Sequence, residues 1–153
     1  MRLLPAILLC LALAACGNDA PKPAKRIDTP QEAISRVGDV TIRANVLPTA
    51  NLNDTVARGY GIPRSGNTLL LLVAVRQGPD AQETALPATI TAGVTTLHGQ
   101  RTEIAMRELR TGELVDYVGT VDISPPDTLT FDLKIAREGA ATETMTFSRD
   151  VAP

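Results

Sequence analysis

The most apolar run between residues 17 and 153 covers residues 69–75, seven consecutive positions without a polar side chain. A strand with one face in solvent alternates apolar and polar residues, so this run predicts either a strand covered on both faces or a segment of helix. Its length, together with Gly66 before it and Gly78-Pro79 after it, favours the strand. We therefore expect residues 69–75 to form the central strand of a sheet.

Six further segments have the composition or the alternation of strands, and turn-forming residues separate them about every ten residues. They are residues 40–46, 87–97, 101–110, 113–123, 129–135 and 145–151. Alternation is clean in 129–135 and imperfect in 101–110. Short strands at this spacing are typical of antiparallel sandwiches and barrels. The pattern predicts an all-β fold, an immunoglobulin-like antiparallel β-sandwich of about seven strands, although the chain lacks the cysteine and tryptophan pattern of antibody domains.

Two short segments carry signals for a helix. Asn53 or Asp54 can cap one or two helical turns, which Gly59 would end, directly before the central strand. Residues 29–32, Thr-Pro-Gln-Glu, also have the order of a helix start, with a capping Thr, then Pro, then Glu at the third position. A short strand leading into residues 40–46 is the alternative for this second segment. The local sequence leaves both interpretations open.

The first sixteen residues have the order of a bacterial secretion signal. Arg2 supplies the positive charge, residues 3–13 form the apolar stretch, and small residues follow. Leu13-Ala14-Ala15-Cys16 resembles the lipobox, in which the cysteine thiol receives a diacylglyceryl group and cleavage leaves that cysteine first. An ordinary signal peptide with a stray cysteine, of which Cys10 is an example, is the alternative. We expect lipid on Cys16, and two or three acyl chains anchor a protein stably in a membrane.

Two features of the segment after the lipobox bear on location. Gly17 stands where an aspartate would resemble an inner-membrane retention signal, so the outer membrane is favoured. Residues 17–30 contain three prolines and almost no apolar side chains. Such a segment predicts a flexible tether with a reach of about 45 Å. The chain therefore divides into a signal peptide (residues 1–15), a lipidated N-terminus with its tether (16–32) and a β-sandwich domain (33–153).

Composition and charge exclude several classes of function. The 153 residues carry a net charge of −2 at pH 7, so nothing draws the chain to nucleic acid or to an anionic membrane surface. Both cysteines, Cys10 and Cys16, lie in the leader, so no disulfide staples the domain. His98 is the only histidine and lies in a predicted turn, which supports neither a zinc site nor a Ser-His-Asp triad. We expect no metal, no cofactor and no enzymatic activity.

Residues 57–65, Ala-Arg-Gly-Tyr-Gly-Ile-Pro-Arg-Ser, resemble an A-x-x-Y-G-I-x-R-S element that precedes an apolar strand in the DUF4426 family of small bacterial envelope proteins. Three weaker matches keep their order: residues 37–39 resemble the F-G-D entry of that family, 97–100 its N-L-x-G-Q hairpin and 129–132 its L-R-F-D strand. The resemblance spans residues 37–151. It implies a secreted β-sandwich and a strand near Gly38, and it supplies no activity because the family is of unknown function.

The chain departs from the family pattern at two places. Asp116-Tyr117 stands where the family commonly has a tyrosine pair in the fifth strand. Family members often carry a plain signal peptide, whereas this leader ends in Cys16. The lipid anchor is therefore inferred from this sequence alone and is not implied by the resemblance.

Tyr60, Arg64 and Ser65 are the candidate binding residues. In the functional interpretation, Arg64 presents its guanidinium to a carboxylate or phosphate of a partner, with Tyr60 beside it. In the structural interpretation, which we favour, Tyr60 closes one end of the sandwich and Arg64 binds loop carbonyls. Gly59 and Gly61 would supply positive φ angles. Catalytic motifs fail here, because the glycine pattern precedes a strand instead of following one and Ser65 lacks the flanking glycines of a nucleophile elbow.

These observations lead to two expectations for function. The first is a membrane-anchored periplasmic lipoprotein whose non-catalytic β-sandwich binds another envelope component, with the membrane contacted through the lipid on Cys16. The second is a domain that binds a small molecule or a cell-wall fragment near Tyr60, which a concave pocket lined by Tyr60 and Arg64 would favour. A hydrolase would have to use His98, and the inventory of residues argues against it.

Overall fold

The structure, a computed structural model, describes residues 31–152, which form two antiparallel sheets packed face to face. The strands are β1 (Ala33–Val37), β2 (Val40–Pro48), β3 (Thr68–Gln77), β4 (Thr84–Ala85), β5 (Thr89–Thr95), β6 (Arg101–Ile104), β7 (Arg107–Thr111), β8 (Leu114–Asp122), β9 (Asp127–Ala136) and β10 (Glu143–Val151). One sheet has the order β1-β2-β3-β8-β7, with β4 beside the end of β3, and the other has the order β10-β9-β5-β6. The predicted all-β sandwich is confirmed. The predicted signal peptide, Cys16 and nearly all of the tether lie outside the described residues.

Strand β3 is the centre of the six-stranded sheet, as residues 69–75 predict. It pairs with β2 from Val40↔Gln77 to Pro48↔Leu69 and with β8 on its other side. Successive side chains of a strand point to opposite faces. Leu71 and its alternate neighbours enter the core between the sheets, whereas Leu70 is buried on the outer face. The run does not alternate because both faces of the strand are covered.

The core between the sheets is built mainly from the alternating strands. β9 contributes four buried apolar side chains, and β8 contributes Val115, Tyr117 and Val121. The four from β9 are Leu129, Phe131, Leu133 and Ile135. The ring of Phe131 stacks on that of Phe147 in β10, with centroids 5.3 Å apart. Full burial of each such side chain contributes about 1.5–3 kcal/mol, so this cluster is the main source of stability.

Helix α1 (Asp54–Tyr60) covers part of the outer face of the six-stranded sheet. The Oδ1 atom of Asn53 caps it by accepting the Val56 N–H at 2.8 Å, and Gly61 ends it in the left-handed conformation with φ 63°. The predicted helical turn before β3 is confirmed, although the helix ends at Gly61 and not at Gly59. Neither this helix nor the 3-10 turn Thr49–Asn51, the helical elements within residues 31–152, is long and apolar enough to cross a membrane.

The segment after residue 32 is a strand, so the helix alternative for it is wrong. β1 pairs with β2 from Ala33↔Ala44 to Val37↔Val40, and Gly38 turns the chain between them with φ 62°. The backbone N–H and C=O groups along the edge of β2 form hydrogen bonds with these residues, which favours the strand. Residue Gln31 is also held, because its carbonyl accepts a hydrogen bond from the guanidinium of Arg149. That guanidinium lies 4.7 Å from the centroid of the Phe147 ring, and burial lowers the pKa of Arg149.

The predicted single strand over residues 101–110 is wrong, because the chain changes sheets within it. β6 pairs with β5 in the four-stranded sheet, and β7 pairs with β8 in the six-stranded sheet. The crossing at Ala105-Met106 passes close over Gly119 of β8. A Cβ on that glycine would lie 2.9 Å from the carbonyl oxygen of Ala105 and 2.7 Å from the sulfur of Met106. The imperfect alternation of 101–110 reflects this change, and β4 is a second strand that the pattern did not predict.

Candidate functional site

The segment from Tyr60 to Ser65 joins α1 to β3 and lies over the outer face of the six-stranded sheet. Its apolar residue, Ile62, is buried in a cluster with Leu52 and Ala57. These three side chains pack on Leu70 of β3 and Val118 of β8. We call the five residues together the outer cluster. The predicted site therefore belongs to the cover of one sheet and not to an end of the sandwich.

Arg64 connects two elements that precede it. One of its terminal nitrogens pairs with the carboxylate of Asp54 at the start of α1, and the other donates to the carbonyl of Ala50 at 2.8 Å. Charge-assisted hydrogen bonds of this kind are stronger than neutral ones. The predicted bond from Arg64 to a loop carbonyl is present. The side chain is still 45% exposed, so part of the guanidinium faces solvent.

Ser65 is a turn-building residue in this structure. Its N–H donates to the hydroxyl of Thr49 at 2.9 Å, and the same hydroxyl donates to the Ser65 carbonyl at 3.1 Å. The Ser65 hydroxyl accepts the N–H of Asn67 at 3.1 Å. Thr49 is fully buried, so these reciprocal bonds satisfy polar atoms away from water. The contacts fix the path of the chain into β3.

Tyr60 and its neighbouring glycines do not match the structural interpretation in every respect. Tyr60 is the last residue of α1 and packs, half-buried, against the outer cluster. Its carbonyl accepts a hydrogen bond from the guanidinium of Arg107 in β7. Gly61 has the expected positive φ, whereas Gly59 lies inside the helix without one. Tyr60 therefore helps to cover a sheet and does not close an end of the sandwich.

Two concavities flank residues 61–63. The larger, of about 500 Å³, is lined by Arg58, Arg64 and Asp54 around the apolar side chains of Ala57 and Ile62. The smaller, of about 110 Å³, lies toward β7 and β8 and includes Arg107 in its lining. The larger volume falls within the range of ligand sites in proteins, but it is that of an open surface depression and not of an enclosed pocket. Arg64 lines this concavity as the second functional expectation requires, but Tyr60 does not.

The sequence interpretation missed three residues around these concavities. Asp54 had a place only as a helix cap, and Arg58 and Arg107 had no predicted role. Asp54 and Arg58 are four residues apart on α1, a spacing that puts both on one helix face and could have indicated a shared surface. Arg107 is 47 residues from Tyr60, so no local signal joins the two.

A second charged cluster lies on the same sheet, toward the Gly38 turn. Arg43 of β2 donates from two nitrogens to the carboxylate of Glu83, at 2.8 and 3.0 Å, and one of them also contacts Asp80 at 3.3 Å. The hydrogen bond to Arg43 lowers the pKa of Glu83. In β3, the buried Arg76 pairs with Asp116 and donates to the carbonyl of Val115 at 2.9 Å. The contacts of Arg43 join β2 to the loop after β3, and those of Arg76 join β3 to β8.

His98 lies where the sequence predicts it, exposed in the turn between β5 and β6. The turn is closed by the Thr96 N–H, which donates to the Gln100 carbonyl at 2.9 Å, and Gly99 has φ 80°. Among residues 31–152, no group of three or more His, Cys, Asp and Glu side chains is arranged to hold a metal ion.

Comparison with known families identifies the domain. The model of the family described as "Domain of unknown function (DUF4426)" matches residues 34–152. The chain belongs to the DUF4426 family. The match covers the sandwich from within β1 to the end of β10, and so agrees with the resemblance carried by residues 57–65.

Solved structures show the same architecture as this DUF4426 domain. A crystal structure of a DUF4426 family protein from Pseudomonas aeruginosa PAO1 is 23% identical, with a TM-score of 0.68 over 80% of this chain and 95% of that one. A copper-bound variant of FetP from uropathogenic Escherichia coli strain F11 is 11% identical, with a TM-score of 0.56 over 79% of this chain and 95% of FetP. At these identities the similarity shows the shared fold alone. No curated protein matches the chain.

Proposed function

We propose that this DUF4426 protein is a lipid-anchored periplasmic protein whose β-sandwich binds another component of the cell envelope without catalysing a reaction. The observation that carries the proposal is the sequence Leu13-Ala14-Ala15-Cys16 at the end of an apolar leader. Lipid on Cys16 would place the domain at a membrane surface, and Gly17 favours the outer membrane. The tether of residues 17–30 would let the domain reach about 45 Å from that surface.

The contacts of the candidate site support a binding role over a catalytic one. The hydroxyl of Ser65 accepts a backbone N–H, and Arg64 holds Asp54 and the Ala50 carbonyl. A nucleophile needs a base within hydrogen-bond reach, and the contacts of Ser65 are with Thr49 and Asn67. The residues that mark the family thus shape a surface, as a binding role requires.

Metabolic labelling with a palmitate analogue tests the anchor. We expect the wild-type chain and Cys10→Ala to take up the label and Cys16→Ala to lose it, because Cys16 alone stands at the lipobox position. Label that survives Cys16→Ala contradicts the proposal. Fractionation of the labelled cells adds a test of location: the wild-type chain is expected in the outer membrane, and Gly17→Asp is expected to move it to the inner membrane.

Cross-linking in intact cells tests the binding role. The anchored wild-type chain, purified after cross-linking, is expected to retain one specific envelope component. The matched control is the same leader and tether fused to an unrelated folded domain. Recovery of the same components with both chains, or of none with the wild type, counts against the binding role and leaves the lipid anchor untouched.

The larger concavity favours a second candidate function, the binding of a small molecule or cell-wall fragment. Its volume of about 500 Å³ would accommodate a small ligand, and its arginines would attract an anionic one. A rise in melting temperature on addition of purified cell-wall fragments tests this candidate. The absence of any rise at millimolar concentration argues for the first candidate.

A further inference from the structure

The larger concavity combines an apolar floor with a charged rim. Ala57 and Ile62 form a fixed apolar floor but are only 4% and 6% exposed, so the exposed Pro63 supplies most of the apolar surface that a ligand would meet. Arg58 and Arg64 line the same space, together with Asp54. A ligand that carries a small apolar group beside an anionic one matches this lining.

The position of Arg64 is set before any ligand arrives. Its contacts with Asp54 and the Ala50 carbonyl use two of the five N–H donors of a guanidinium, and the side chain remains 45% exposed. A guanidinium held in this way loses little conformational freedom when it binds a carboxylate. Arg58, exposed in the last turn of α1, adds a second donor group on the same rim.

The charge of the rim distinguishes between anions. Two arginines and one aspartate give a net charge of +1, and the aspartate lies within the lining. A carboxylate carries one negative charge, whereas a phosphate monoester carries about −1.5 to −2 at pH 7. A carboxylate therefore balances the net charge of the rim, whereas a phosphate monoester would leave it with an excess of negative charge beside Asp54. The rim therefore matches a carboxylate.

We propose that this concavity binds the free carboxylate end of a peptide whose last residues have small aliphatic side chains. The inference rests on the proposed binding role and specifies the ligand class. The carboxylate contacts Arg58 and Arg64, and a methyl-sized side chain packs on the apolar lining formed by Pro63, Ala57 and Ile62. The end of an envelope protein and a cell-wall stem peptide both offer this chemistry, with L- and D-residues respectively.

Titration of the full chain in detergent micelles tests the inference. The probes are N-acetyl-L-Ala-L-Ala, its C-terminal amide, diacetyl-L-Lys-D-Ala-D-Ala and inorganic phosphate. NMR follows the Nε–H signals of Arg58 and Arg64 and the amide of Gly61. We expect at least one carboxylate peptide to shift these signals, and the amide to bind about fivefold more weakly, the size expected for one exposed charge-assisted contact. Phosphate is expected to compete more weakly than the peptide.

The variants make the inference falsifiable without unfolding the domain. Arg58→Gln, at an exposed position, is expected to weaken binding about fivefold and Arg58→Lys less. Arg110→Gln, an exposed arginine of β7 outside the lining, is expected to bind as the wild type does. Four results would each overturn the inference. They are an amide that binds as tightly as the free peptide, an Arg58→Gln chain that binds as tightly as the wild type, phosphate that competes more strongly than the peptide, and the absence of any shift at 10 mM peptide. Those results would leave the labelling of Cys16 and the cross-linked partner unaffected, so the two proposals fail separately.

Discussion

The two sheets of the sandwich differ in what lies on their outer faces. On the six-stranded sheet, α1 and the loop after it bury Leu70 and Val118 on the outer side. On the four-stranded sheet, polar side chains of β9 and β10 lie at the surface and bond to one another. The hydroxyls of Thr130 and Ser148 are 3.1 Å apart, and the hydroxyl of Thr128 donates to the carboxylate of Asp150 at 2.8 Å. The first sheet is a middle layer and the second is an outer one. The central strands differ accordingly: residues 69–75 of β3 are apolar throughout, whereas residues 129–135 of β9 alternate.

This difference also bears on residues 57–65, which carry the resemblance to the family. Residues 57–65 do not lie on the four-stranded sheet, whose outer face is exposed. They form the cover of the other sheet, and their contacts with Thr49, Asp54 and Arg107 make them part of the fold. A surface built on such fixed contacts changes little when a ligand binds, which favours recognition by a preformed site.

The largest expected effect tests whether β3 is buried on both faces. Leu70 faces the outer cluster and Leu71 faces the core, and both are almost fully buried. We expect Leu70→Ala and Leu71→Ala to lower the free energy of unfolding by about 3 kcal/mol each, because each leaves a cavity. Thr130→Ala, on the outer face of β9, is expected to cost less than about 0.5 kcal/mol. Denaturant unfolding measures all three, and a small effect of Leu70→Ala would break the comparison.

A second effect tests how the two sheets are joined where the chain crosses over β8. We expect Gly119→Ala to cost about 2 kcal/mol, because its Cβ would meet the backbone of Ala105 and the core cannot expand there. Gly93→Ala is the matched control in β5. The three atoms nearest to its Cβ would all belong to the guanidinium of Arg101, the closest at 2.6 Å, and that flexible group can move aside. Thermal unfolding distinguishes the two, and equal effects would show that the crossing is not tightly packed.

The smallest expected effect is a pH-dependent change in stability at the charged cluster around Arg43. The hydrogen bond from Arg43 lowers the pKa of Glu83 in the folded state, so the stabilisation is complete above the unfolded pKa and is lost as the pH falls through the folded one. We expect the wild type to melt above Glu83→Gln at pH 7, and the difference to disappear between about pH 5 and pH 3. In an Arg43→Gln background the substitution should have a much smaller effect, because only the weaker attraction of Arg76 and Arg36 for Glu83 remains. A difference that persists at pH 3 would contradict this assignment.

A strand could be predicted from the sequence where the burial of its faces alone sets the pattern of apolar and polar residues. Residues 129–135 alternate because one face is in the core, and residues 69–75 do not because neither face is in solvent. The change of sheet within 101–110 could not be predicted, because both pieces are edge strands with mostly exposed side chains. The end of α1 was misplaced by two residues, because packing of Tyr60 on the outer cluster extends the helix past Gly59.

The candidate site could be predicted only in part. The type of contact that Arg64 makes follows from its chemistry and its place in a loop. Its partners, Asp54 and the Ala50 carbonyl, depend on how the 3-10 turn and α1 fold back over the sheet. The contact of Arg107 with Tyr60 depends on the pairing of β7 with β8, which joins residues far apart in the chain. Contacts between residues far apart in the chain cannot be predicted from the spacing of neighbouring residues.

If the loop after α1 is a structural part of the cover, removal of the Arg64 contacts must weaken the fold. The decisive measurement is the melting temperature of Arg64→Ala beside that of Arg110→Ala, whose exposed side chain pairs, within residues 31–152, with Glu108 alone. We expect Arg64→Ala to lose about 1 kcal/mol, or about 3–5 °C, and Arg110→Ala to melt within about 1 °C of the wild type. An unchanged melting temperature for Arg64→Ala, together with loss of the cross-linked partner, would contradict the structural role and make Arg64 a residue kept for binding alone.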